Sequence, residues 1–142
     1  MGKKRIIKKS GGSDTSASKA LSRIPKKKVD AGVLNVLATF NNTILTLADM
    51  QGNALISASS GAIGFKGSRK STPFAAAKVG EVIGDKAQQM GMKEASVVVR
   101  GVGAGRESAL RAFAGKGINI VRISDRTPVP HNGPRAKKAR RV

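Results

Sequence analysis

Positive charge is concentrated at the two ends of the sequence, and this division confines any packed fold to the residues between them. Residues 1–28 carry ten basic residues and one acid, a net charge of +9, whereas residues 126–142 carry six basic residues and no acid. Residues 29–125 carry eleven basic and seven acidic residues, a net charge of +4. Charged segments with few apolar residues cannot bury enough surface to offset the entropy of ordering. We therefore predict a basic arm at 1–30, a globular domain at 31–125 and a basic extended tail at 126–142.

The first half of the predicted domain has the pattern of three consecutive strands. Apolar residues alternate along Val33–Phe40, and a second β-rich run follows at Thr43–Asp49. Asn41-Asn42 between them suits a two-residue hairpin, because asparagine tolerates positive φ. A turn at residues 50–53 leads into a third predicted strand, Ala54–Ser59, and residues 60–71 are expected to form a loop.

The second half alternates helices with strands. Thr72-Pro73 is a typical helix start, and a buried face of Ala76, Val79, Ile83, Ala87 and Met90 predicts a helix ending near Gly91. Ala95–Arg100 is rich in valine without alternation, which predicts a strand buried on both faces. A second helix is expected at Arg106–Gly115 and a last strand at Ile118–Ser124. The order βββαβαβ predicts a single α/β domain with a mixed sheet and crossover helices, flanked by basic disordered tails.

Composition narrows the function to binding a polyanion. The net charge of +19 makes nucleic acid the first expectation and an anionic membrane the second. Without cysteine and with a single histidine, the chain offers no disulfide framework and too few ligands for a zinc site. We expect no metal, no cofactor and no small-molecule substrate. The serine-rich basic start resembles organellar transit peptides, but its lysine runs lack an apolar face, which favours an RNA-binding arm in a cytoplasmic protein.

A glycine turn at Gly101–Gly105 follows a strand and precedes a helix. Such turns let the backbone approach a phosphate, and Asp125 lies where dinucleotide-binding proteins place the acid that binds a ribose hydroxyl. Arg106 occupies the position of the third glycine of that motif, which counts against a nucleotide site. An arginine at a phosphate-facing turn suits an RNA backbone equally well.

The loop Gly64–Ser71 combines three cations with hydroxyls and glycines directly before a helix. Lys66, Arg69 and Lys70 suit a clamp on RNA phosphates, whereas the alternative is a solvated connection without a specific partner. The total charge favours the clamp. By contrast, we expect Lys78, Lys86 and Lys93 to be ordinary solvated charges on or near the first helix.

His131 lies in a segment with three nearby prolines, which predicts an extended arm rather than a catalytic centre. Stacking on a base or hydrogen bonding to RNA is the better use of this side chain. The following Asn132-Gly133 pair is sterically open and prone to succinimide formation, so Asn132 is a candidate for isoaspartate modification.

Four stretches resemble the small-subunit ribosomal protein S-eleven family in its bacterial form. They are Phe40–Ile44, Gly64–Ala76, Gly103–Ser108 and Thr127–Gly133 with its basic end, in the order of the family. The resemblance covers residues 32–142. Departures include Lys66 where the family often has arginine, Pro134 in place of a frequent cysteine, and a longer serine- and glycine-rich head.

The resemblance implies a non-enzymatic constituent of the small ribosomal subunit. It implies binding to the central domain of small-subunit rRNA at the platform, near the exit site and the duplex between messenger leader and rRNA. Implied neighbours are small-subunit proteins seven, eighteen and twenty-one. The expected RNA contacts are Asn41, Asn42, Lys66, Arg69, Lys70, Arg106, Arg126, His131, Asn132, Arg135, Lys137, Lys138, Arg140 and Arg141.

Two alternatives belong to other classes. A nucleotide-binding α/β protein would bind a dinucleotide at the glycine turn. A general nucleic-acid-packaging protein would bind duplex DNA with comparable affinity and would not need the Gly64–Ala76 loop. A membrane-surface protein would require a basic amphipathic helix, which the long helix, with two lysines and two acids, does not provide.

Overall fold

A computed structural model describes residues 27–141, so most of the predicted arm at 1–30 lies outside the described residues. The chain forms five strands, β1 (Ala31–Ala38), β2 (Thr43–Asp49), β3 (Ala54–Ser59), β4 (Glu94–Arg100) and β5 (Asn119–Asp125). Three α-helices and one 3-10 helix connect them: α1 (Ser60–Ile63), the 3-10 helix (Gly67–Ser71), α2 (Pro73–Gln89) and α3 (Arg106–Ala114). The predicted α/β fold and its principal element order are confirmed.

The strands form one mixed sheet in the order β3-β2-β1-β4-β5. β1, β2 and β3 pair as an antiparallel meander, and β4 and β5 add in parallel beside β1. The two parallel additions each use a crossover helix, and both crossovers advance in the same direction across the sheet. Right-handed crossovers of this kind place α2 and α3 on the same face.

The core lies between that face and the two long helices. Every second residue of β1 is buried against them, and α2 contributes the apolar stripe that the sequence predicts, Ala76, Val79, Ile83, Ala87 and Met90. Phe113 of α3 is the largest fully buried side chain of the described residues. The opposite face of the sheet carries no helix in the described part of the chain, and its side chains are mostly half-exposed.

The start of α2 follows the predicted capping chemistry. The Thr72 side chain accepts a hydrogen bond from the Ala75 backbone N–H at 3.3 Å, and Pro73 occupies the first helical position. At the other end, Gly91 adopts a φ of 84°, which a side chain would strain. These local signals fix the helix bounds to within one residue of the expectation.

Two predictions about local structure are wrong. The segment predicted as a loop, residues 60–71, contains α1 and the 3-10 helix, because Ser59 caps α1 through a hydrogen bond from the Ala62 N–H to its hydroxyl. β4 is buried on one face only, since Ser96 and Val98 point to the half-exposed face. A valine-rich strand lacks visible alternation although its two faces meet different surroundings.

Lys86 is also not the solvated charge that we expected. It lies on α2 with only 8% of its surface exposed, and its Nζ has no hydrogen-bond partner among the described residues. Burial lowers the pKa of Lys86, because the charged ammonium loses hydration without a compensating partner.

Candidate nucleic-acid interface

The topology brings the predicted binding segments together at one edge of the sheet. β1, β4 and β5 are parallel, so the segments that follow them emerge at the same edge. These segments are the turn after Ala38, the glycine turn Gly101–Gly105 and the start of the C-terminal tail. The beginning of α2 reaches the same edge, because a Cβ at Gly105 would lie 2.7 Å from the Ala76 Cβ. We call this region the basic edge.

The turn between β1 and β2 differs from the predicted hairpin. The Thr39 N–H donates to the Asn42 carbonyl at 2.9 Å, which leaves Phe40 and Asn41 as the two central residues. The Thr39 hydroxyl accepts hydrogen bonds from the N–H groups of both asparagines and closes the turn without positive φ. Asn41 and Phe40 are exposed at its tip, whereas the Asn42 side chain accepts from the Thr43 N–H at 3.0 Å.

The glycine turn is packed against β1 rather than open to a ligand. The Gly103 N–H donates to the Ala38 carbonyl at 3.0 Å, and the Gly101 N–H donates to the Thr127 hydroxyl at 3.2 Å. A Cβ at Gly103 would lie 2.3 Å from the Thr39 carbonyl oxygen, so only glycine fits there. The glycines permit close packing of the chain, and two of the N–H groups that a phosphate would need are occupied.

Arg106 and Asp125 bind each other instead of a nucleotide. The Arg106 guanidinium donates to Asp125 and, at 3.0 Å, to the Gly101 carbonyl. Thr127 donates to Asp125 through both its hydroxyl and its N–H, and with Arg106 it lowers the pKa of Asp125 to about 2. This cluster fixes the start of the tail and removes the carboxylate on which the dinucleotide alternative depends. The Arg106 contact with RNA stays a prediction.

The clamp loop, Gly64–Ser71, presents its cations on a short ordered scaffold. Lys66 precedes the 3-10 helix, and Arg69 and Lys70 lie in its last turn. None of these three cations forms an ion pair within residues 27–141. The Thr72 hydroxyl donates to the Arg69 carbonyl at 2.7 Å and joins the scaffold to α2.

An aromatic pair joins the clamp loop to the start of α2, with Phe65 half-buried and Phe74 exposed. The rings of Phe65 and Phe74 meet edge to face with centroids 6.0 Å apart, and the Lys78 ammonium lies 5.7 Å from the Phe74 centroid. They border a cleft of about 610 Å³ together with Lys66 and Arg69. Charge and an exposed ring in one cleft suit an RNA backbone with an unstacked base.

The C-terminal tail leaves the sheet as an extended, solvent-exposed segment. The Arg126 N–H donates to the Val99 carbonyl at 2.9 Å, and beyond Thr127 the described residues form no helix or strand. Asn132 has a φ of 60°, and Gly133 follows it. The remaining predicted tail contacts are all exposed: His131, Arg135, Lys137, Lys138, Arg140 and Arg141.

Sequence reasoning missed two arginines on the sheet itself. Arg100 ends β4 and Arg122 lies within β5, and both side chains line a groove on the face without helices. Their positions in the alternation of each strand were a usable signal. Assigning that signal to a face required knowing which face the helices cover.

Asp49 illustrates a second missed role. This buried carboxylate accepts hydrogen bonds from the Gln51 and Asn53 N–H groups and from the Asn53 and Lys27 side chains. These donors, with Asn53 contributing most, hold the pKa of Asp49 far below its usual range. Asp49 therefore organises the turn between β2 and β3 rather than contacting a ligand.

The described residues contain no group of three or more histidine, cysteine, aspartate or glutamate side chains that can hold a metal ion. They also contain no helix with the length and apolar character needed to span a bilayer.

Comparison with known proteins identifies close sequence relatives. A sequence model described as Ribosomal protein S11 matches residues 32–141. Small ribosomal subunit protein uS11 of Methylibium petroleiphilum (strain ATCC BAA-1232 / LMG 22953 / PM1) is 56% identical over 129 residues, covering 91% of this chain and 96% of that protein. Small ribosomal subunit protein uS11 of Leptothrix cholodnii (strain ATCC 51168 / LMG 8142 / SP-6) is 55% identical over 127 residues, covering 89% and 95%. The matched range contains the whole basic edge.

Proposed function

The chain belongs to the ribosomal protein S11 family, and from this membership we propose that it binds small-subunit rRNA through its basic edge at the subunit platform. It is a non-enzymatic ribosomal protein of the small subunit. The finer proposal places it near the exit site and the messenger-leader duplex, beside small-subunit proteins seven, eighteen and twenty-one. The observation that best supports the proposed RNA contact is that the clamp loop, the β1–β2 turn and the tail converge on one edge of the sheet.

The geometry supports recognition of phosphates and shape rather than of base sequence. The clamp loop contains a 3-10 helix that is hydrogen-bonded to the start of α2, so Lys66, Arg69 and Lys70 extend from an ordered backbone. A-form RNA hides its base edges in a deep, narrow groove and exposes phosphates and 2′-hydroxyl groups. Cations on an ordered loop are suited to those phosphates, and arginine can bind two oxygens of one phosphate at once.

The tail extends this contact away from the packed domain. Its residues beyond Thr127 are exposed and carry five of the predicted RNA-contacting cations without a compensating acid. Ordering such a segment on RNA costs entropy but allows a small protein to reach between RNA segments. Asn41, Asn42, Arg106, Arg126, His131 and Asn132 complete the proposed contact set.

Incorporation into ribosomes tests the proposal directly. A tagged full-length chain is expressed in a related bacterial host, ribosomes are washed with high salt, and the subunits are separated on a sucrose gradient. We expect tagged protein in the small-subunit fraction and none in the large-subunit fraction. Tagged protein confined to the top of the gradient, in a host that accepts related copies, would refute the ribosomal assignment.

A matched pair of arginine variants tests the clamp loop. Arg69→Ala removes a clamp cation, whereas Arg111→Ala removes an exposed arginine of α3 that pairs with Glu107. We expect the Arg69→Ala protein to dissociate from washed subunits at a lower salt concentration than the parent protein does. We also expect the slope of log K against log salt concentration for RNA binding to fall by about one phosphate contact, roughly 0.7–0.9. Arg111→Ala should behave as the parent protein. Equal salt release of the two variants would place Arg69 outside the interface.

Deletion of the tail tests its part in assembly. The cut is best placed after Thr127, because Arg126 and Thr127 are bonded to the sheet and the glycine turn. A chain ending there should fold as the parent does and compete poorly with it for incorporation. Normal incorporation of the shortened, folded chain would contradict the role of the tail.

A further inference from the structure

The face of the sheet without helices carries a groove lined by both polar and apolar side chains. Four adjacent strands contribute a row of side chains to the middle of this face, Thr46, Asn35, Val98 and Ser124, which lie opposite one another in register. Three of the four are polar, although sheet centres are ordinarily apolar when another layer of protein covers them. The groove on this face has a volume of about 680 Å³.

Three arginines line this groove on one side. Along β5 and its extension, the side chains of Arg122, Ser124 and Arg126 alternate onto the open face, and Arg100 enters from the end of β4. The hydrogen bond from the Arg126 N–H to the Val99 carbonyl keeps Arg126 in line with the strand. Within residues 27–141 none of these arginines forms an ion pair.

Two of the acids near this groove are already engaged elsewhere. Asp125 points to the helix-covered side of the sheet, where Arg106 and Thr127 bind it. Asp49 at the rim accepts four hydrogen bonds from its own turn and from Lys27. Glu94, at the start of β4, shares the open face with Ser96 and Arg100, but it forms no ion pair, so no salt bridge within the described residues neutralises the three arginines.

Neighbouring cations on this face repel one another in the free protein. Val99 and Asp125 are the last registered pair of β4 and β5, so Arg100 and Arg126 follow side by side on adjacent strands. Like charges directly opposite each other in a sheet are destabilising. An anion bound between them would reduce that repulsion.

We propose that the open face is a second RNA-binding surface, on which the sugar-phosphate backbone of an rRNA segment lies along β5. This inference rests on the proposed ribosomal function and adds a surface on the opposite side of the sheet from the helices. Guanidinium groups bind phosphate oxygens in pairs, and the small polar groups of Asn35, Ser96 and Ser124 suit 2′-hydroxyls. The chain's own head is excluded as the occupant by charge, since residues 1–28 carry a net charge of +9.

A single introduced thiol reports what covers the groove. The chain contains no cysteine, so Ser124→Cys places a unique thiol between Arg122 and Arg126. Gln88→Cys provides a control thiol on the exposed side of α2. Both thiols should react with maleimide in the free full-length protein, and Ser96→Cys replaces Ser124→Cys if the latter fails to fold.

Washed small subunits that contain the Ser124→Cys chain provide the test. We expect the thiol to lose its maleimide reactivity, and an iron chelate tethered there before assembly to cut rRNA at a discrete position. Retained reactivity in assembled subunits would overturn the inference while leaving the ribosomal function intact. Protection without RNA cleavage would overturn it in favour of a protein neighbour on this face. Absence of the tagged chain from the subunits would instead refute the proposed function itself.

A charge variant gives an independent readout. Arg100→Gln/Arg122→Gln removes two arginines from the open face, and Lys93→Gln/Arg111→Gln removes two exposed cations elsewhere. The first variant should dissociate from washed subunits at a lower salt concentration than the second. The clamp loop is unchanged in both variants. Equal release by the two variants would overturn the inference.

Discussion

The closest approach of the two long helices provides the sharpest test of the packing described above. Gly80 of α2 faces α3, where a Cβ at this position would lie 2.5 Å from the Ala109 carbonyl oxygen and 3.0 Å from the Ala112 Cβ. Ordinary contact begins near 3.4 Å, so Gly80→Ala requires the helices to separate by almost an ångström. Because the nearest atom belongs to the backbone, no side chain can rotate away to relieve the clash.

Two opposing contributions decide whether this substitution raises or lowers the free energy of unfolding. Alanine is favoured over glycine inside a helix by about 1 kcal/mol. Overpacking a well-filled contact costs about 1–3 kcal/mol. We expect the clash to dominate and Gly80→Ala to lower the free energy of unfolding by about 1–2 kcal/mol, since the obstructing group is rigid. For a domain of this size, each kcal/mol corresponds to a fall of about 4–8 °C in Tm.

A second glycine of the same helix pair supplies the control. At Gly115, which follows α3 with a φ of −59°, the nearest atoms to a Cβ are 3.4 and 3.5 Å away. Gly115→Ala should therefore leave stability unchanged or raise it slightly. Urea and thermal unfolding of the free full-length proteins measure both variants. A higher Tm for Gly80→Ala than for the parent would refute the close helix contact.

Three further predictions concern titration and covalent change. Lys86→Met should raise the free energy of unfolding by about 1 kcal/mol at neutral pH, because it removes a buried charge. In urea unfolding this gain should shrink as pH rises toward 10.5, where the unfolded lysine also loses its proton. As pH falls from 3.8 to about 2, the Asp125→Asn protein should lose less stability than the parent protein. The reason is that the folded-state pKa of Asp125 is lowered, so its carboxylate stabilises the parent only while it is ionised. Acid unfolding curves of the two proteins would be parallel through that window if the Thr127 and Arg106 contacts were absent. Asn132 should accumulate isoaspartate on ageing, through attack of the Gly133 nitrogen on its side-chain carbonyl, whereas Asn119, followed by isoleucine, should not; peptide mapping that finds both intact contradicts this.

The sequence predicts the elements of this fold where the determining contacts are local. Alternation located β1, a β-rich run located β2, and the turn at residues 50–53 located the start of β3. Thr72-Pro73 located the start of α2, because the threonine hydroxyl and the proline ring act on adjacent residues. The β1–β2 turn was wrong by one residue, since the Thr39 hydroxyl closes it and asparagine at positive φ is not required. Local patterns identify a turn more readily than the side chain that stabilises it.

The wrong and missing predictions share a different physical cause. The surroundings of Lys86, Arg100 and Arg122 depend on which face of each helix or strand is covered by other elements. That coverage is a property of the whole topology. The glycine turn was recognised, but its glycines serve close packing against Ala38 and Thr39, which lie more than sixty residues earlier in the chain. Spacing alone could not separate this use from a phosphate cradle.

The distribution of acids explains why one edge of the protein is left strongly positive. Residues 27–141 contain seven acids, and five of them, Asp49, Glu81, Asp85, Glu107 and Asp125, form salt bridges with cations of the fold. The other two, Asp30 and Glu94, lie at the start of β1 and β4, the opposite edge from the glycine turn. Within the described residues, no cation of the clamp loop, the open face or the tail forms a salt bridge with an acid. Because the packed domain uses most of its acids for internal pairing, its positive charge is left for an external polyanion, and the RNA contacts that we propose at the basic edge and on the open face meet that requirement.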